Sequence, residues 1–209
     1  MRKKKSWNWP AIILSVILIS STFAVIFYGI APNNETKKFN GFKFTQAAGS
    51  WQTPINNNQL FFNYLPEDVQ SIALDPILAD KLRSSPEIDA TSSINDSNGE
   101  AIAVAESQME QILNQVSQIY LRRGFDTNTS YGLPVIICNA TKSPEAIETG
   151  AAGTPGTAGT AAVPILYIRT GLETSIKQEG SCIVAQGQTA QDIIKLKDRI
   201  LYGIYGILP

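Results

Sequence analysis

The sequence predicts a mixed domain of the α+β or α/β class behind an N-terminal transmembrane helix. Three observations carry this. Residues 11–30 contain no charge. Residues 42–65 hold three short, aromatic-rich runs broken by Asn and Gly. Beyond them, two stretches with helical periodicity, 100–123 and 189–205, alternate with short apolar runs. The expected architecture is a membrane helix, a short β-meander, and a small mixed sheet with both helices packed on it.

The first element is the anchor. Residues 11–30 read AIILSVILISSTFAVIFYGI. At 1.5 Å rise per residue, twenty residues span about 30 Å, the thickness of a bilayer's hydrocarbon core. Trp7, Trp9 and Tyr28 sit near its ends, as an aromatic belt requires. Arg2, Lys3, Lys4 and Lys5 precede it, and no acid occurs before Glu35. The positive-inside rule then places the N-terminus in the cytoplasm and the remainder outside the cell. A cleavable signal peptide is the rival reading. Its apolar region is normally shorter, and the best cleavage candidate, Gly29-Ile30-Ala31, is followed by Pro32. The expected division is a basic cytoplasmic tail at 1–10, a membrane span at 11–30 in contact with the lipid bilayer, a polar spacer at 31–41, and an extracytoplasmic domain at 42–209.

The meander follows. FKFTQ (42–46), SWQTPI (50–55) and QLFFNYL (59–65) are strand-like, and Asn40-Gly41, Gly49 and Asn56-Asn57-Asn58 mark the turns. Pro66-Glu67-Asp68 and Asp75-Pro76 both read as helix starts, so 66–84 is one broken helix or two short ones. EIDATSSI (87–94) reads as a strand.

Ser97-Asn98-Gly99-Glu100 reads as a capping box. Ile102, Ala105, Met109, Ile112, Val116 and Ile119 then recur every three or four residues, with Glu106, Gln108, Glu110, Gln111, Asn114, Gln115 and Gln118 among the polar positions between them. This helix is expected to end near Arg122, Arg123 and Gly124. LPVIIC (133–138), VPILYIR (163–169) and SCIVA (181–185) read as short buried strands. A flexible surface loop is expected at 149–162, where Gly, Ala and Thr dominate. The last helix follows Thr189, with an apolar face of Ile193, Leu196, Ile200 and Ile204.

The chain has no His, which excludes Ser-His-Asp and Cys-His activation and imidazole metal sites. Two cysteines cannot build a four-cysteine zinc site, and no phosphate-binding glycine loop is present. INDSNGE (94–100) has a calcium-loop flavour, but Ile94 and Ala105 fall where carboxylates are needed. Glu67 and Asp68 are an adjacent acid pair in a helix's first turn, which is an ordinary place for acids. No catalytic residue, metal or cofactor is indicated. Four of the 17 basic residues precede the anchor, leaving 13 against 18 acids outside, so no nucleic-acid partner is expected.

Cys138 and Cys182 lie on the outer side of the expected anchor, where oxidising conditions favour a disulfide. Two buried free thiols and a reactive thiol are the alternatives. Asn34, Asn95, Asn128 and Asn139 all head glycosylation sequons on that same side.

The order of elements from 59 to 205 resembles that of thioredoxin-like folds, and VPILYIRTG resembles their proline-preceded strand. The Cys-x-x-Cys motif is missing, so the resemblance implies a fold and no redox activity. The whole chain, through its basic-plus-apolar start, CNAT, SCIVAQG and KDRILYGIYGIL, is similar to membrane-anchored exported proteins of archaea. That similarity implies location and disulfide use, without an assigned activity. The expected role is a non-catalytic surface or envelope component with a protein or glycan partner. An anchored thioredoxin-like or hydrolase-type enzyme, and an accessory subunit of a membrane complex, are the alternatives. An exposed apolar patch around Ile204, Tyr205, Ile207 and Leu208 would favour the accessory subunit.

Overall fold

Turn chemistry builds the first sheet. Strands β1 (Thr36–Phe39), β2 (Phe42–Ala47), β3 (Ser50–Ile55) and β4 (Asn58–Phe62) form an antiparallel meander in chain order. Each of its three two-residue turns has both central residues at positive φ: Asn40 and Gly41, Ala48 and Gly49, Asn56 and Asn57. Such turns carry the right-handed twist that antiparallel neighbours need, and Asn and Gly adopt them at least cost. The meander therefore has four strands where three were expected, and β1 lies inside the segment read as spacer. The structure is a computed structural model that describes residues 35–138 and 163–209, together with Ile13 and Leu14, which are helical.

The other expectations for 1–34 and 139–162 lie outside the described residues. These are the membrane span at 11–30 (apart from Ile13 and Leu14), the sequons at Asn34 and Asn139, and the loop at 149–162. Among the described residues, no helix is long and apolar enough to cross a membrane.

Two short helices follow β4, α1 (Pro66–Val69) and α2 (Pro76–Ser84). Both begin on proline, and the Asp75 side chain caps α2 by accepting from the Ile77 N–H at 2.9 Å. Of the two readings for 66–84, the structure has the two short helices.

The second sheet has five strands: β5 (Glu87–Ser92), β6 (Tyr120–Phe125), β7 (Ile165–Thr170), β8 (Ser175–Glu179) and β9 (Cys182–Gly187). Their spatial order is β6-β5-β7-β9-β8, with β8 alone antiparallel to its neighbour. Helices α3 (Gly99–Ser117) and α4 (Ala190–Ile204) pack on one face through Ile102, Ala105, Met109, Ile193, Leu196 and Ile200. The fold is mixed α and β, as the pattern predicted.

Several boundaries differ from expectation. The stripe that ran to Ile119 belongs to a helix only as far as Ser117. Gln118 takes the left-handed conformation and its N–H turns back to the Leu113 carbonyl, which ends α3. Arg122, Arg123 and Gly124 then lie on β6. The segment 133–138 is not a strand. Pro134 has no N–H to give a ladder, and only Val135 forms a bridge, to Phe125. The expected capping box is also absent. Asn98 is the N-cap of α3 and makes no side-chain cap bond. Instead Ser97 Oγ and Asn98 Nδ2 donate to Thr170 Oγ1 at 3.3 and 2.9 Å. The final helix matches, with Thr189 and Asp192 forming a reciprocal cap.

The core is continuous across Thr36–Pro209. Phe44 and Phe62 of the meander meet Tyr202 of α4, the Phe62 ring stacked on it at 4.3 Å between centroids. Helix α4 is consequently buried almost all round, with Lys197, Asp198 and Arg199 inside as well as its apolar stripe.

Candidate functional site

Three hollows on the described surface are large enough to consider. One, of about 460 Å³, lies between the starts of α3 and α4 and includes Glu100 and Gln191. A second, of about 470 Å³, lies where the β3–β4 turn meets Arg83 and Tyr205. The third, of about 290 Å³, lies between β4 and α3. Glu100 is the single carboxylate lining these three, so none of them gathers an acid pair.

The third hollow has the most constructed floor. Ser50, Phe61, Phe62, Asn63, Gln108, Gln111, Ile112 and Gln115 line it. Gln108, Gln111, Ile112 and Gln115 are three, four and seven residues apart, so one strip of α3 presents them all. Asn63 comes from the chain just beyond β4. Beneath them the Lys197 ammonium is 1% exposed. It donates to Asn63 Oδ1 at 2.9 Å and Gln108 Oε1 at 2.8 Å, and lies 2.6 Å from Asp198 Oδ1. Two hydrogen bonds and one ion pair thus engage the ammonium.

Asp198 completes the arrangement. Its Oδ2 accepts from the backbone N–H groups of Asn63 and Tyr64 at 2.9 and 2.8 Å. Burial pushes its carboxyl up, against the pull of Lys197 and of those two N–H groups. The pair fixes the turn after β4 on α4, and so fixes Asn63 opposite Gln108. Each of these amides gives its oxygen to Lys197. Their nitrogens, Asn63 Nδ2 and Gln108 Nε2, make no hydrogen bond among the described residues. The floor therefore offers two oriented N–H₂ donors over a neutralised charge, and the rim adds Gln111, Gln115 and Ser50.

Cys138 and Cys182 are joined in a disulfide, with 5.7 Å between their Cα atoms. Cys182 starts β9, fully buried, and the bridge ties the 133–138 segment to it. Cys182 lies outside the helix-side core of the sheet, so the bridge has no part in the amide-lined hollow. Asn95 and Asn128 are both exposed, one before α3 and one after β6. In the segment 94–100, Asp96 is already occupied: it accepts from the Thr170 N–H and hydroxyl and from the Asn98 N–H. Burial opposes its charge, but these hydrogen bonds prevail and hold the carboxyl below its usual range. Among the described residues, no group of three or more ligand-type side chains could hold a metal. Asp68 accepts from the Leu65 N–H at 3.0 Å, a capping role.

Ile204, Ile207 and Leu208 are at most 5% exposed, so the surface patch that would favour an accessory subunit is not formed there. Sequence reasoning missed the amide site. The Gln108, Gln111, Gln115 strip was its visible signal. The chain matches no protein-family model, no curated protein and no solved structure.

Proposed function

We propose that this protein is a single-pass, membrane-anchored component of the cell surface or envelope, with its N-terminus in the cytoplasm. Its extracytoplasmic domain binds a partner without catalysing a reaction. The uncharged run at 11–30 behind four basic residues supports the anchor, and the Cys138–Cys182 bridge is consistent with an oxidising location. The observation that carries the binding role is the hollow lined by Asn63 and Gln108, whose side-chain oxygens are both held by the buried Lys197 ammonium. A buried ion pair costs desolvation, and this one holds the chain after β4 on α4. Lys197 is buried and held by two amide oxygens and the Asp198 carboxylate, so it is poorly placed to act as a base or nucleophile.

A thioredoxin-like reading of the fold rests on the β5-α3-β6 unit and on Pro164 just before β7. It brings no thiol pair with it, because the two cysteines are 44 residues apart and joined to each other.

The test is co-purification of the full chain from its native membrane, beside a Gln111→Arg/Gln115→Arg variant that fills the rim with charge. A membrane-bound chain with a partner that the variant releases supports the proposal. Recovery in the soluble fraction, or a partner retained equally by the variant, overturns it.

A further inference from the structure

We infer that the hollow between β4 and α3 is a subsite for a neutral saccharide, held at its floor by Asn63 and Gln108 and stacked against Phe61. The inference rests on the binding role proposed above and names the ligand class.

Charge is the first filter. None of the eight lining residues is ionisable. The one ionised group beneath them, Lys197, is matched by Asp198 and by two amide oxygens. An anionic or cationic ligand would enter such a site with no countercharge and would lose its own hydration. Polarity is the second filter. Four primary amides and a hydroxyl line a space of about 290 Å³. A purely apolar ligand would strip water from these groups and replace none of their hydrogen bonds. What fits is a small neutral molecule that carries many hydrogen-bonding groups.

The floor sharpens the match. A free amide side chain offers donors and acceptors alike. Asn63 and Gln108 have spent their oxygens on Lys197, so they present donors alone. Two such donors from facing elements suit two neighbouring acceptor oxygens, the arrangement of adjacent sugar hydroxyls. The same hydroxyls can then donate to Gln111, Gln115 or Ser50 at the rim. Each sugar hydroxyl gives one proton and takes others, which no peptide carbonyl can do.

Phe61 supplies the remaining surface. It is 48% exposed, on the outward side of β4 where buried and exposed residues alternate, and it lines this hollow. The face of an aromatic ring is electron-rich and attracts the positive C–H edge of a neighbour. One face of a pyranose ring is a set of such C–H groups. Volume sets the scale, since ligand pockets run from about 300 Å³ upward. This site therefore takes a terminal sugar unit rather than an extended chain.

The test uses the full chain in lipid nanodiscs and a panel of methyl glycosides of glucose, galactose, mannose and N-acetylglucosamine. Binding is read by saturation-transfer NMR and by titration. The informative variant is Gln108→Glu. It keeps the side-chain shape and an oxygen for Lys197, and exchanges the outward donor for a carboxylate oxygen. The expected result is binding by the wild type, weakened at least tenfold in Gln108→Glu and in Phe61→Ala, with thermal unfolding of Gln108→Glu unchanged or raised. A Gln178→Glu control on the far edge strand should bind as the wild type does. Binding that survives both Gln108→Glu and Phe61→Ala overturns the inference, because the sugar then sits elsewhere. If no glycoside binds, yet a membrane partner is retained by the wild type and released by Gln108→Glu, the saccharide inference fails and the binding role stands. If neither is seen, both fall.

Discussion

Lys197 and Asp198 are neighbours on one helix, yet their charged groups lie 2.6 Å apart with side chains 1% and 0% exposed. Adjacent helical residues point about 100° apart, so they meet only because the turn after β4 draws both toward it. Asp198 takes two backbone N–H groups there, and Lys197 takes the Asn63 side chain.

Breaking this pair on one side leaves a buried charge without its partner. Lys197→Met should cost about 3–5 kcal/mol of unfolding free energy. Lys197→Met with Asp198→Asn should recover a substantial part, because the substituted amide keeps an acceptor for the N–H groups of Asn63 and Tyr64 and carries no charge. Urea unfolding of the three proteins measures both values. A double variant no more stable than Lys197→Met would show that the loss is steric rather than electrostatic.

Glu106 should make stability depend on pH in the neutral range. It lies on the buried side of α3, and its Oε1 has no hydrogen-bond partner among the described residues. Burial pushes its carboxyl up to about 7, with Glu110 adding to the rise and Arg123 of β6 opposing it. The native state therefore holds a proton that the unfolded chain releases near pH 4.5. Its stabilisation is complete below that value and is lost as pH rises through about 7. The difference between pH 4 and pH 8 from this group is about 3 kcal/mol. Glu106→Gln should flatten that slope and raise stability at pH 8, read by urea unfolding at four pH values. An unchanged slope would mean that the carboxyl titrates alike in the folded and unfolded states.

The meander was legible because its turns are chemical. Asn40-Gly41 and Asn56-Asn57 take a positive φ readily, and alternation did the rest. Strands β1 and β8 were hidden because they are edges. In β8 only Ile176 is buried, and β1 has no fully buried residue, so neither shows an apolar alternation. Strand β6 was hidden by coincidence of period. Val116 and Ile119 continue the spacing of α3, although Gln118 between them has already turned the chain. The site was illegible for a different reason. Lys197-Asp198-Arg199 reads as the polar side of an amphipathic helix, and it is buried because the chain after β4, the Ile72 segment and the C-terminus close over α4. Asn63 and Gln108 belong to separate elements that no local pattern relates.

The disulfide should be worth about 4 kcal/mol on the chain-entropy account, for a closed loop of 44 residues. Cys138→Ala/Cys182→Ala should therefore lower the melting temperature by roughly 10 °C for a domain of this size. Alanine is the better replacement, since Cys182 is fully buried and serine would bury a hydroxyl. Calorimetry of the variant and of the reduced wild type should agree. A fall in the variant alone would assign the loss to packing at position 182.

Gly124 should be irreplaceable even by alanine. A Cβ there would lie 2.4 Å from the Pro134 carbonyl oxygen and 2.7 Å from Ile136 Cδ1. Both belong to the segment that rests on β6. Phe125 donates to Pro134 at 3.0 Å, Ile136 donates to Phe125 at 2.8 Å, and Thr91 donates to Ile136 at 2.9 Å. A backbone oxygen cannot swing aside as a side-chain end can, so Gly124→Ala must lift the segment or bend the strand. The cost should be about 1–3 kcal/mol, the usual range for overpacking. Hydrogen exchange locates it: the Ile136 amide should exchange at least tenfold faster, while the amides of α4 keep their relative protection. The segment is also held at Cys138, two residues on, so it should lift without detaching. Unchanged protection at Ile136 would show that the strand yields instead, and faster exchange of the amides paired between β5 and β6 should then appear in its place.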